Sequence, residues 1–135
     1  MKEFSLQIVT PDKTVMDGKA VSLLIRTTAG DVEILAGHTD LLAALGTGRA
    51  RIRTADGEDI FASASGGFLS VANGGEVRVA ATTFEFASEL NLSRAEAAKE
   101  KAEQALKEAK TATEIELAKA KLTRALTRIS VKNMR

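Results

Sequence analysis

The chain contains no cysteine, no tryptophan and no tyrosine, and only one histidine and one proline among 135 residues. Without cysteine there is no disulfide framework, no thiolate-bound zinc or iron–sulfur centre and no thiol catalysis. His38 is the sole histidine, which excludes a multi-histidine metal site and leaves a histidine-based triad resting on one residue. No apolar run approaches the roughly 18 residues that a membrane span requires. The first residues, Met1 to Gln7, lack the apolar segment of a signal peptide. The expectation is a soluble intracellular protein with no direct membrane insertion.

What is abundant is alanine, with 23 residues. An alanine-rich interior buries little area per residue, which predicts that part of the molecule is weakly held. The formal net charge of +1 hides an asymmetry. Residues 1–90 carry 8 basic and 12 acidic residues, whereas residues 91–135 carry 11 basic and 6 acidic ones. From Lys119 to Arg135 there are six bases (Lys119, Lys121, Arg124, Arg128, Lys132 and Arg135) and no acid. Such an end predicts an acidic partner.

All ten glycines lie at or before Gly75, and neither glycine nor proline follows Leu90. This shift separates a turn-rich half from a helical half, and it places domains at 1–85 and 86–135. The first half alternates with period two. Phe4, Leu6 and Ile8 form one run, Val21, Leu23 and Ile25 a second, and Val32 and Ile34 a third. Arg49 to Arg53, Ile60 to Ala64, Phe68 to Val71 and Val77 to Ala81 follow, punctuated by Asp56-Gly57 and Asn73-Gly74-Gly75. Short strands with frequent turns indicate an antiparallel sandwich or barrel, and the lack of helical crossovers argues against parallel pairing.

The second half has period 3.6. Ser93 and Glu96 match a capping box, as do Thr113 and Glu116 after an interruption at Lys110 to Thr113. Ala95, Ala98, Ala102, Ala105, Leu106 and Ala109 form one stripe, and Ile115, Ala118, Leu122, Ala125, Leu126 and Ile129 another. The short interruption predicts an antiparallel hairpin. Facing alanines let the axes approach but bury little, so docking on the sandwich is expected to be marginal. The fold class is therefore mainly β plus α: an N-terminal antiparallel β-sandwich followed by a C-terminal antiparallel α-helical hairpin.

Catalytic constellations are missing. Gly46-Thr47-Gly48 lacks the lysine and helix of a phosphate loop and reads as a turn. Ser65-Gly66-Gly67 lacks the strand–turn–helix setting of a nucleophile elbow. The aspartates do not have calcium-loop spacing, so no metal site is expected. Arg49, Arg51 and Arg53 share one strand face without interleaved aromatics, which reads as a solvated face. Arg124 and Arg128, at i and i+4, project two guanidinium forks from one helix face, able to hold phosphate or carboxylate. The chemistry alone predicts a non-catalytic binding or regulatory module.

Four strings in order resemble the epsilon subunits of F-type ATP synthases. They are Gly30 to Leu42 (GDVEILAGHTDLL), Ser65 to Val71 (SGGFLSV), Ser93 to Ala98 (SRAEAA) and Leu122 to Val131 (LTRALTRISV). The family's pattern has Phe-Gly or Leu-Gly where Val32-Glu33 stands, and proline at Ala36 and often at Asp40. The resemblance spans essentially the whole chain. It implies a non-catalytic rotor subunit of the central stalk, peripheral on the cytoplasmic face of the cell membrane. The sandwich would bind the gamma subunit and the c-ring, through Asp31 and His38 in the latter case, and help couple proton or sodium flow to ATP synthesis. His38 is assigned no proton-transfer role. The hairpin would regulate, lying folded on the sandwich or extended beside gamma against the alpha and beta subunits. Arg124, Arg128 and Lys132 are its candidate beta-subunit contacts.

Some members also bind a regulatory ATP on the folded hairpin. Leu90-Asn91-Leu92-Ser93-Arg94-Ala95 is similar to their motif, with Asn91 in place of Asp. Glu85, Arg124 and Arg128 match other positions, and Lys101 replaces an arginine. The candidate ATP set is thus Glu85, Leu90, Asn91, Arg94, Ala95, Arg124 and Arg128; no other cofactor is expected. The alternative reading is a free-standing nucleotide- or nucleic-acid-binding module built on the arginine strand and the basic helix. The rotor-subunit reading expects no nucleic-acid partner.

Overall fold

The computed structural model describes residues 2–134, so Arg135 of the basic end lies outside the described residues. Eight strands come first: β1 (Phe4–Val9), β2 (Thr14–Ala20), β3 (Ser22–Thr27), β4 (Gly30–Ile34), β5 (Leu41–Ala44), β6 (Thr47–Arg53), β7 (Asp59–Ala72) and β8 (Glu76–Phe86). A single 3-10 turn over Ala87–Glu89 leads to α1 (Leu92–Glu108) and α2 (Ala112–Met134).

The strands hydrogen-bond in the order β2-β1-β8-β7-β6-β3-β4, with β5 on β7. β7 and β8 are long enough to serve both layers. The first half of β7 pairs with β6, and its second half pairs with β5. The change of partner falls at Gly66 and Gly67, both at positive φ. A Cβ on Gly67 would fall onto the Ala80 carbonyl oxygen, so only glycine fits. The glycine pair therefore bends one continuous strand, where the sequence pattern suggests two.

Between the layers lies a core of branched side chains, among them Leu6, Ile8, Leu23, Ile25, Ile34, Ile52, Leu69, Val71, Val77 and Val79. Each alternates with an outward neighbour, as a half-buried strand requires. β2 and β5 escape the period-two reading because β2 carries Asp17 and Gly18 mid-strand and β5 is Leu-Leu-Ala-Ala. One pair also departs from the antiparallel expectation: β1 runs parallel to β8, with Leu6 opposite Val77. Helical crossovers serve consecutive parallel strands. Here the two partners are the first and last strands, and the rest of the sandwich is the connection. Gly48 lies inside β6, not in a turn, because the stem of Arg26 crosses it; a Cβ there would lie 2.7 Å from the Arg26 Cβ.

Both helix caps fall two residues earlier than the capping-box reading places them. The Asn91 side chain accepts from the Arg94 amide at 3.0 Å. Thr111 Oγ1 accepts from the Glu114 amide at 3.1 Å, and the Glu114 carboxylate accepts from the Lys110 amide at 3.4 Å. Ser93 and Thr113 lie inside the helices, whose extra residues gain backbone hydrogen bonds.

The hairpin interior is alanine. Ala95, Ala102, Ala118 and Ala125 are buried, together with Val131. Ala98 and Ala105 stay exposed, and Leu126 retains 45% of its surface. The buried stripe is thus narrower than its sequence pattern. α2 packs on the outer face of β6 and β7. There Ser63, which alternates with core-facing Ala62 and Ala64, is covered to 4% exposure.

Candidate functional site

A cleft of about 290 Å³ opens between the two helices. α1 contributes Ala98, Lys101, Ala102 and Ala105, and α2 contributes Lys121, Arg124 and Arg128. The alanines give the cleft its room, and helical spacing gives it its charge. Lys121, Arg124 and Arg128 step by three and four along α2, and Lys101 faces them from α1. Among the described residues, no carboxylate lines the cleft. Among the described residues, Lys101, Lys121 and Arg124 form no ion pair. Four clustered cations repel one another, and a polyanion relieves that repulsion while engaging the two forks.

Arg128 differs from the other three. Its Nε donates to Glu85 Oε1 on β8 at 2.8 Å. One turn further, Lys132 Nζ donates to the Ala87 carbonyl at 3.0 Å. Lys132 also closes one side of a cavity of about 520 Å³, whose walls include Phe61 and Phe86 and which lies under the 3-10 turn.

The candidate nucleotide set therefore divides. Arg124 and Arg128 line the cleft, and Glu85 stands at its edge through Arg128. Leu90 and Ala95 are buried, and Asn91 is the helix cap. Arg94 is exposed in the first turn of α1 and is not part of the lining. Lys101 joins the site, as does Lys121, which the sequence reading passes over. Its signal was the i, i+3, i+7 spacing to Arg124 and Arg128.

On the sandwich, Asp31 and His38 are not brought together. Asp31 sits beside the turn that joins β3 to β4, bound by Arg26 Nε at 2.6 Å. That hydrogen bond holds its carboxyl below the usual aspartate value. His38 lies beyond the other end of β4, where its Nδ1–H donates to the Thr39 carbonyl at 2.7 Å. Neighbouring Gly37 approaches the turn at Gly75.

The arginine strand is largely neutralised within the fold. Arg51 binds Glu33 at 2.6 Å and Ser22 at 3.1 Å, and Arg53 binds Asp59 at 2.8 Å. Arg49 reaches Met134 at the end of α2, with Nη1 3.9 Å from Sδ. This is a paired sheet face with little left for nucleic-acid phosphate.

The opposite layer carries an exposed apolar patch. Leu42 keeps 73% and Phe68 57% of its surface. The register puts Ala44, Phe68 and Ala80 side by side, with Leu42, Ser70 and Arg78 in the next row. Exposed large side chains on a flat strand face mark a protein contact. The signal in the sequence was Phe68 itself: it precedes core-facing Leu69, so period two turns it outward.

An N-terminal sandwich joined to an alanine-lined helical hairpin, with a basic cleft and an apolar sheet face, defines a two-domain binding subunit. Comparison with known proteins gives its kind. Residues 3–87 match the family described as ATP synthase, Delta/Epsilon chain, beta-sandwich domain, and residues 88–133 match its long alpha-helix domain. The ATP synthase epsilon chain of Ruminococcus albus is 38% identical over 133 residues, covering 98% of each chain. That of Bacillus velezensis is 37% identical over 131 residues, covering 97% of this chain and 98% of the relative. A chain in the cryo-EM structure of Euglena gracilis mitochondrial ATP synthase, OSCP/F1/c-ring, superposes with a TM-score of 0.82. It shares 20% identity, over 93% of this chain and 78% of its own, and so shows the shared fold.

The chain belongs to the ATP synthase delta/epsilon family, and it matches bacterial ATP synthase epsilon chains over nearly its whole length. Among the described residues, no helix is long and apolar enough to cross a membrane.

Proposed function

We propose that this subunit is a rotor element whose sandwich is held by the gamma subunit and the c-ring and whose hairpin regulates ATP hydrolysis. It carries no catalytic chemistry of its own. It helps couple ion translocation to ATP synthesis on the cytoplasmic face of the membrane. The observation that carries the regulatory half is the contrast in packing: a branched aliphatic core in the sandwich, against buried alanines and a polar docking face under the hairpin. A regulatory arm needs two states separated by a small free-energy gap, and a weakly buried hairpin supplies one.

The Leu42–Phe68 face is the proposed seat of gamma, because it carries the two most exposed large apolar side chains of the sandwich among the described residues. Asp31 and His38 are the proposed c-ring contacts. Since Asp31 lies at the start of β4 and His38 beyond its end, each is tested by its own cysteine crosslink to the c-subunit loops. A position that fails to crosslink in the intact enzyme is not a contact.

In the extended state, Arg124, Arg128 and Lys132 meet carboxylates of the beta subunits, with alpha beside them. In the folded state, the basic cleft takes the triphosphate of ATP as a regulatory ligand. That ligand then favours the folded hairpin through its differential affinity. Asn91 lacks the carboxylate of the motif and Lys101 lacks a fork, so affinity falls below that of members with Asp and Arg there.

The test is ATP hydrolysis by the assembled enzyme. Removing residues 91–135 leaves a complex that still holds the sandwich and hydrolyses ATP faster. Replacing Arg124, Arg128 and Lys132 together with alanine gives a smaller gain. Unchanged hydrolysis in both variants removes the regulatory role.

A further inference from the structure

The cavity of about 520 Å³ under the 3-10 turn lies apart from the basic cleft, and the two share no lining residue. It arises from a mismatch of strand lengths. β7 starts at Asp59, but β8 ends at Phe86, which stands opposite Ala62. Asp59, Ile60 and Phe61 therefore pair with β6 and have no counterpart in β8. Where β8 would continue, the chain turns off over Ala87–Glu89, and Lys132 of α2 closes the space.

The walls have a definite chemistry. Ile60, Phe61 and Phe86 are half-buried and form the apolar side. The Phe86 ring meets Phe84 edge to face, with centroids 5.6 Å apart and planes at 79°. The Asp59 carboxylate is neutralised within the fold, because Arg53 Nε and Nη2 donate to its two oxygens at 2.8 and 3.2 Å. Lys132 forms no ion pair among the described residues. Its ammonium donates to the neutral Ala87 carbonyl, and its remaining donors are free. Glu58, exposed in the turn before β7, forms no ion pair among the described residues either.

We propose that this cavity is a binding site for an organic anion with a flat aromatic body, such as an arenecarboxylate or arenesulfonate. Its volume is that of small-molecule sites, which are mostly apolar with a few polar groups that fix orientation. The phenylalanines receive the body, since aromatic rings pack offset or edge to face. Lys132 receives the anion, and hydrogen bonds between charged partners are the strong ones. Glu58 repels the anion and so directs it to the Lys132 end. A polyphosphate finds no second free base here, because Arg53 is committed to Asp59.

The probe is 8-anilinonaphthalene-1-sulfonate, titrated into the full-length protein and followed by fluorescence, with 2-naphthoate as competitor. One saturable site is expected. Lys132→Gln is expected to weaken it about tenfold or more, the effect of losing a hydrogen bond to a charged group, and Lys132→Arg to restore it. Phe61→Ala weakens it as well, with the helical signal at 222 nm unchanged. Glu58→Gln tightens it about two- to fivefold, the range for an exposed charge. Phe68→Ser, on the opposite layer, leaves it in place, as does excess ATP.

Affinity that is unchanged in Lys132→Gln, or lost there and not restored by Lys132→Arg, overturns the anion contact. Binding that vanishes in Phe68→Ser belongs to the exposed sheet face, and binding displaced by ATP belongs to the cleft; either overturns the site. Decanoate that displaces the probe as well as 2-naphthoate overturns the aromatic body. The absence of saturable binding overturns the proposal outright.

Discussion

The sandwich and the hairpin are built from similar fractions of apolar residues and yet are held by different amounts. The sandwich interior is leucine, isoleucine and valine, each contributing about 1.5–3 kcal/mol when buried. The hairpin interior is mostly alanine, with a single methyl per residue at roughly 0.8 kcal/mol, and Val131 adds one fully buried branched side chain. Its seat on β6 and β7 covers Ser63 and touches Arg49, where a rigid domain interface would cover branched side chains. Burial area, more than helix propensity, thus holds one domain more firmly than the other, as the proposed regulatory arm requires. The charges follow the same division: acids dominate the fixed body, and bases gather on the arm.

The comparison is broken most severely in the sandwich. Ile52 is fully enclosed in the core, and Ile52→Ala is expected to cost about 2–5 kcal/mol, read by urea titration of the β-sheet signal. Ala125 is equally enclosed on α2. Ala125→Leu overfills its site and costs about 1–3 kcal/mol. That loss appears in the helical signal at 222 nm and leaves the midpoint of sandwich unfolding in place. Loss of both signals together would mean that the two domains unfold as one. Asn91→Ala removes the cap of α1 and costs about 0.5–2 kcal/mol of hairpin stability, visible as earlier helix melting.

The smallest effect is that of acid, and it falls on the sandwich. Asp31, Glu33 and Asp59 are each held below their ordinary values, chiefly by hydrogen bonds from Arg26, from Ser22 with Arg51, and from Arg53 respectively. A depressed carboxylate stabilises the fold above its unfolded value, about 3.9 for Asp and 4.3 for Glu, and that stability is lost as pH falls through the folded value. The sandwich is therefore expected to melt at progressively lower temperature below about pH 4, and Asp59→Asn to shallow that slope. These groups are largely exposed and screened, so the change is modest.

The fold was legible where period and punctuation agreed. Leu6, Leu23, Ile52 and Val77 declare their strands by alternation, and the loss of glycine after Gly75 marks the helices. β5 was hidden because Leu41-Leu42-Ala43-Ala44 has no polar alternate, although Leu42 points to solvent. The parallel pairing of β1 with β8 depends on contacts between the ends of a domain, which no local pattern records. For the site, Arg124 and Arg128 could be read from one helix. Lys101 opposite them and Glu85 beneath Arg128 were named only through the family resemblance, because no local pattern records how the two helices and the sandwich meet. Ser93 and Thr113 misled because two overlapping cap patterns fit each helix start, and backbone bonding favours the earlier.

Native-state hydrogen exchange of the full-length chain, followed across sub-denaturing urea, measures the contrast directly. The account predicts two opening free energies. Amides of α1 and α2 exchange through openings well below the global unfolding energy, with Ala95, Ala102, Ala118 and Ala125 grouped together. Amides of β3, β6, β7 and β8 exchange only through unfolding of the sandwich. A single opening energy shared by α2 and β7 would contradict it, because the hairpin would then be as firmly held as the sheet on which it lies.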